Sequence, residues 1–230
     1  MNKPLSKPRQ SSDLTIDGRY PFTTDEIANT VTHTLGFMLS LVALWVFWRA
    51  TQDNAWGLRL TCVVFTLSMA AVYFFSTLSH AVLEPHRRNR LRAWDQGTIY
   101  LLIAGTYSPF IWQCSPPGWT ATIMVLVWGA AVWGFYLKVI AAYRVNAVST
   151  VTYVLLGWLP TLPLVPQVPL ICILWMLLGG LSYTLGIIFL MHRNQAWYTH
   201  SIWHIMVMLG SFFHCISIYQ LLGFAPRMAQ

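Results

Sequence analysis

Tyr198–Tyr219 reads YTHSIWHIMVMLGSFFHCISIY, and this stretch decides the fold. It is long and apolar enough to cross a hydrocarbon layer ~30 Å thick as a helix, which takes about 20 residues. It nevertheless carries His200, His204 and His214. Six similar stretches precede it, at residues 28–48, 57–80, 94–114, 119–140, 148–168 and 169–191, and the quoted one completes the set at 199–222. Hydrophobic residues make up 56% of the chain and charged residues 9%, a balance that suits lipid rather than water. The expected fold is all-α and integral to the membrane: a seven-transmembrane helix bundle over residues 26–225 behind an N-terminal tail of residues 1–25. The tail is polar and the first apolar run starts late, so no cleavable signal peptide is expected.

Fourteen Lys and Arg against seven Asp and Glu give a net charge of +7, and the placement of the cations orients the bundle. Lys3, Lys7, Arg9 and Arg19 lie in the tail, Arg87, Arg88, Arg90 and Arg92 between the second and third stretches, Lys138 and Arg144 after the fourth, and Arg193 after the sixth. Only Arg49, Arg59 and Arg227 fall on the other side. The positive-inside bias then places the N-terminus in the cytoplasm, and an odd number of spans leaves the C-terminus outside. Nucleic acid is not an expected partner, because no basic stripe stands apart from a membrane span. The cations mark topology and contact with anionic lipid head groups.

Other features speak to architecture. Cys62, Cys114, Cys172 and Cys215 show no CxxC pairing and read as small core residues, although the first three fall near the outer ends of their stretches, where a disulfide is conceivable. Pro160, Pro163, Pro166 and Pro169 recur every third residue, which opposes one straight helix there. Pro109 is expected to kink the third helix, and the small residues of GGLSYTLG, Gly179 to Gly186, to let the sixth pack closely on a neighbour.

An ionisable side chain in hydrocarbon costs ~3 kcal/mol or more, so the few that remain are candidates for function. They are Glu26, His33, His80, Asp95, His200, His204 and His214. On the expected topology, all but His214 fall in the cytoplasmic half of the bundle. His200 and His204 are one helical turn apart and project from one face, the spacing by which a helix offers two nitrogens to one metal ion. The pair alone is more often an interfacial contact than a metal site; its convergence with other groups at one depth favours a metal. His80, at the end of the second stretch, supplies the third ligand. Ser76, one turn earlier, faces the same way and is placed to hydrogen-bond a ligand or substrate. Asp95 opens the third stretch at that level, as a holder of water, a partner to a ligand or a general base. His214 lies ten residues beyond His204, ~15 Å deeper, and is expected to be a buried histidine hydrogen-bonded between helices. Glu26, Asn29 and His33 form a polar stripe that either orders the site or pairs at an interface. His86 and His192, in basic loops, are expected to be solvated.

The blocks DEIANTVTH, STLSHAVLEPH, WDQGTIYLLIAGTYSPF and HSIWHIMVMLGSFFH resemble the signature segments of the progestin and adipoQ receptor family, most closely its bacterial haemolysin-III branch. The resemblance runs in order through all seven stretches. It implies a seven-helix fold with a cytoplasmic N-terminus, residence in the bacterial inner membrane, zinc held by His80, His200 and His204, and contact of Asp95 with the zinc-bound water. Bacterial relatives often have Asp-His where this chain has Asp95-Gln96, which removes one candidate proton relay.

Three functions are open to this set of residues. Zinc with three imidazoles and a free position suits an intramembrane hydrolase acting on a lipid amide or ester, with Asp95 as the catalytic base, and the family's likeness to ceramidases favours the amide. A zinc that locks helix ends in a non-enzymatic regulator of lipid and membrane energetics is the second. A haemolysin-type pore is the third, and the stretches show no polar channel-lining face. Membrane lipid, as substrate or ligand, is the expected partner, and three histidines also suit other first-row metals.

Overall fold

The computed structural model describes residues 23–141, 146–191 and 198–224. Within them the chain is helical throughout. Helix α1 (Thr24–Ala50) is followed by α2 (Trp56–Ala81), α3 (Pro85–Cys114), α4 (Thr120–Val139), α5 (Asn146–Trp158), α6 (Thr161–Leu164), a 3-10 turn at Val165–Gln167, α7 (Leu170–Met191) and α8 (Thr199–Leu222). Five of these, α1, α2, α4, α7 and α8, are long and apolar enough to cross a membrane. The tail cations, Arg144, His192, Arg193 and Arg227 lie outside the described residues.

Two stretches depart from a simple apolar reading. Helix α3 begins nine residues before the expected 94, because Glu84 caps it: the Glu84 carboxylate accepts from the backbone N–H of His86 and of Arg87, each at 2.8 Å, and Pro85 takes the first helical position, where its missing N–H costs nothing. Those two donors hold the exposed Glu84 carboxyl below the usual carboxylate range. Residues 148–168 form no continuous span. The helix stops at Trp158 and resumes as a single turn and then a 3-10 turn among the prolines, which remove amide donors and clash with the preceding turn. Helix α3 continues through the buried Pro109.

Helix α2 packs between α1 and α3, α8 between α1 and α7, and α4 on α3, with α5 against α3, α4 and α7. Close approach depends on small residues. A Cβ on Gly179 would lie 2.6 Å from the His214 ring, one on Gly210 2.6 Å from Tyr183, and one on Gly105 2.1 Å from the Ser68 hydroxyl. The small residues of the GGLSYTLG segment thus seat α7 on α8, as the sequence predicts. The outer surface is apolar, with Val31, Trp45, Val125, Trp133 and Leu162 all exposed. So wide an exposed apolar surface is stable facing lipid. The four cysteines are free, so the conceivable disulfide does not form, and Cys62, Cys114 and Cys172 are buried in the core.

Candidate metal centre

The polar groups gather at one end of the bundle, where α1, α3 and α8 start and α2 ends. This juxtaposition follows from the alternation of helix directions, and it brings together side chains more than a hundred residues apart. His80, His200 and His204 each place a ring nitrogen so that all three lie within 4.8 Å of one another. Their ring centroids are 5.1, 5.1 and 4.6 Å apart. His80 and His204 are buried and His200 is half-buried.

The chemistry of this set fits a divalent cation. Nε2 of His80 and Nε2 of His200 face each other at 3.3 Å, close to the edge of a tetrahedron whose metal–nitrogen bonds are about 2.0–2.1 Å. Nδ1 of His80 lies 2.7 Å from Oε2 of Glu26 and donates its proton there, so Nε2 presents a lone pair. Thr32 spends its single hydroxyl proton on the carbonyl of Ala28, at 2.8 Å, or of Asn29, at 3.0 Å. It therefore accepts from Nδ1 of His204, 3.3 Å away, and leaves Nε2 of that ring for the centre. Imidazole lone pairs facing one another in a buried space repel unless a cation lies between them. A separation at the 4.8 Å limit still has to close by about 1.5 Å to reach that tetrahedral edge.

Several neighbours hold the rings. The Thr23 side chain accepts from the backbone N–H of Glu26 at 3.4 Å, opening α1, and the Glu26 carboxylate turns inward: Oε1 pairs with Nη2 of Arg88 at 2.5 Å while Oε2 takes His80. The stripe on α1 therefore orders the site. Asn29 accepts from Ser201 at 2.7 Å, tying α1 to α8, and His33 stacks on His204 with 3.6 Å between centroids. Tyr198, in the left-handed region at φ 47°, turns the chain into α8. The Ser79 hydroxyl lies 3.0 Å from the carbonyl of Ser76 and 3.3 Å from the Asp95 carboxylate, so its one proton is divided between them, and Asp95 lies within electrostatic reach of His80. Ser76 faces the same carboxyl from within the bundle without reaching hydrogen-bond geometry.

The structure thus brings His80, His200 and His204 together, with Asp95 and Ser76 beside them. It bears on three other readings. His214 is buried as expected, between Gly179 and the Tyr183 ring, and its Nδ1 has no hydrogen-bond partner among the described residues. Arg88, counted above as a surface cation, is 0% exposed and paired with Glu26. Lys138, counted with it, is buried as well. The signal for Arg88 was present in the helix phase, since it precedes Asp95 by seven residues and so shares its face. His86 is exposed as expected, on the first turn of α3.

Residues 22–215 match the family described as Haemolysin-III related. The chain is 34% identical to hemolysin-3 of Bacillus cereus over 208 residues, 87% of this chain and 94% of that one. It is 33% identical to a hemolysin-3 homolog of Bacillus subtilis over 202 residues, 85% and 94% of the two chains. The human monocyte to macrophage differentiation factor is 23% identical over 216 residues, 91% and 90%. No solved structure matches.

Proposed function

The chain belongs to the haemolysin-III related family of membrane proteins, and from that premise we propose that it is an intramembrane zinc-dependent hydrolase of a lipid amide or ester. The single observation that carries this reading is a group of three imidazoles with a carboxylate beside it and, among the described residues, no fourth protein ligand. Structural zinc sites fill all four positions with protein, whereas reactive ones leave one free.

His80, His200 and His204 would hold the ion. A zinc ion held there would supply a Lewis acid and would lower the pKa of a bound water toward ~7. The chain's own groups do the rest. Asp95, oriented by Ser79, takes the proton of the attacking water and returns it to the departing amine or alcohol. Ser76, whose buried hydroxyl has no partner in hydrogen-bond geometry among the described residues, hydrogen-bonds the polar part of the substrate. Glu26 and Thr32 keep His80 and His204 in the tautomer that points Nε2 at the centre. The site lies at a helix-end level of an apolar bundle, and its substrate is an amphiphile whose reactive carbonyl rests near the head group.

We place the protein in the plasma, or inner, membrane of a bacterium, with α3 and the broken α5–α6 segment completing seven spans, the N-terminus cytoplasmic and the C-terminus outside. Reporter fusions at the two termini check this orientation: both on one side of the membrane contradicts it. The catalytic test is incubation of zinc-loaded, folded protein with a panel of acyl amides and esters. Release of free fatty acid from at least one is expected, and none from any ends the hydrolase reading. The second reading is a regulator in which zinc locks helices, favoured by the dense clamp of Glu26, Arg88 and His33 around the rings.

A further inference from the structure

Arg88 is the largest of the fully buried side chains, although it begins in the most basic segment of the described chain. Its course is set locally. Glu84 and Pro85 start α3 one turn earlier, so Arg88 points into the bundle and not into the head groups. There it touches the structure on both sides of His80. Its Nε donates to the carbonyl of Ser79, the residue just before His80, at 3.0 Å. Its Nη2 meets Oε1 of Glu26 at 2.5 Å, and the other oxygen of that carboxylate takes the His80 Nδ1 proton at 2.7 Å.

We propose that Arg88 is a positioning residue of the metal centre, acting through Glu26 to fix the ring and tautomer of His80. This rests on the reading of the three imidazoles as a metal centre. A carboxylate buried in an apolar bundle stays ionised and oriented only when a cation compensates it. The guanidinium provides that compensation in a fixed planar fork, one arm on the carboxylate and one on the backbone of α2, which the point charge of lysine cannot reproduce. Partners that orient a ligand in this way are usually worth about 10–100-fold in metal affinity. Arg88 therefore links the start of α3 to the ligand at the end of α2, and the α2–α3 connection becomes part of the site.

The experiment titrates the apo protein with cobalt(II), in the wild type, Arg88→Gln, Arg88→Lys, Glu26→Gln and the double variant Arg88→Gln/Glu26→Gln. The visible cobalt bands report ligand geometry. Expected are a loss of about 10–100-fold in affinity with altered bands in Arg88→Gln, partial recovery in Arg88→Lys, and a double variant no weaker than Glu26→Gln alone, because both act on one path. A second readout needs no metal: ring 15N shifts show His80 protonated on Nδ1 in the apo wild type and mixed between tautomers in Arg88→Gln. Wild-type affinity and tautomer in Arg88→Gln, or fully additive losses in the double variant, overturn the assignment. If the glutamine variant does not fold, the lysine variant decides, and wild-type behaviour in it overturns the assignment equally. A wild type that binds no cobalt sinks the metal reading, while the tautomer comparison still decides the role of Arg88.

Discussion

At the scale of single residues, the site depends on which nitrogen each imidazole presents. His80 and His204 are fixed by an acceptor at Nδ1, Glu26 in one case and Thr32 in the other, and this is the usual way a protein aims histidines at a metal. Asp95 has a different partner, the hydroxyl of Ser79, so its carboxylate is held without being consumed by a ligand. Asp95→Asn is therefore expected to keep the metal while slowing hydrolysis by about 10²–10⁴-fold, the usual worth of a general base. Metal analysis beside the fatty-acid assay separates the two effects; full activity in a metal-loaded variant removes Asp95 from the chemistry. The three clustered histidines and Asp95 were legible because each carries its own signal: an i, i+4 pair of histidines and single ionisable groups at apolar helix ends. Arg88 was not, because an arginine among arginines reads as a head-group contact until the phase of α3 is known. His33 was assigned to a stripe, but its stacking on His204 required two distant helices to be placed.

Among elements, contacts too close for a side chain set the geometry. Helix α3 meets α2 at Gly105, where a Cβ would lie 2.1 Å from the Ser68 hydroxyl and 3.3 Å from the Phe65 backbone. The backbone contact cannot be relieved by a rotamer change. Gly105→Val is expected to lower unfolding stability by about 1–3 kcal/mol through overpacking, seen as a reduced melting temperature in detergent, and to disturb metal binding because α2 and α3 both enter the centre. An unchanged melting temperature would mean that the two helices are not in close contact. The apolar scan marks seven stretches, and five of them are single helices long and apolar enough to span among the described residues, because lipid demands continuous hydrophobicity. The start of α3 is not, since its cap and first turns are polar and rest on Glu84 and Pro85. The proline series announced a break after Trp158, though the short helical turns that replace the helix depend on packing.

For the whole molecule, alternation of helix direction turns a linear order of apolar stretches into a single polar layer at one end of the bundle. The flanks of the helices expose large apolar side chains such as Val31, Trp45, Val125 and Trp133, a surface suited to lipid, and on the proposed function the centre lies at the level of a lipid's head-group linkage. Elemental analysis of purified wild type and of His204→Ala tests this account most directly. About one zinc per chain in the wild type, lost in a variant that remains folded, is the predicted result. A wild type free of metal after exposure to zinc, or a variant that retains its ion, contradicts it.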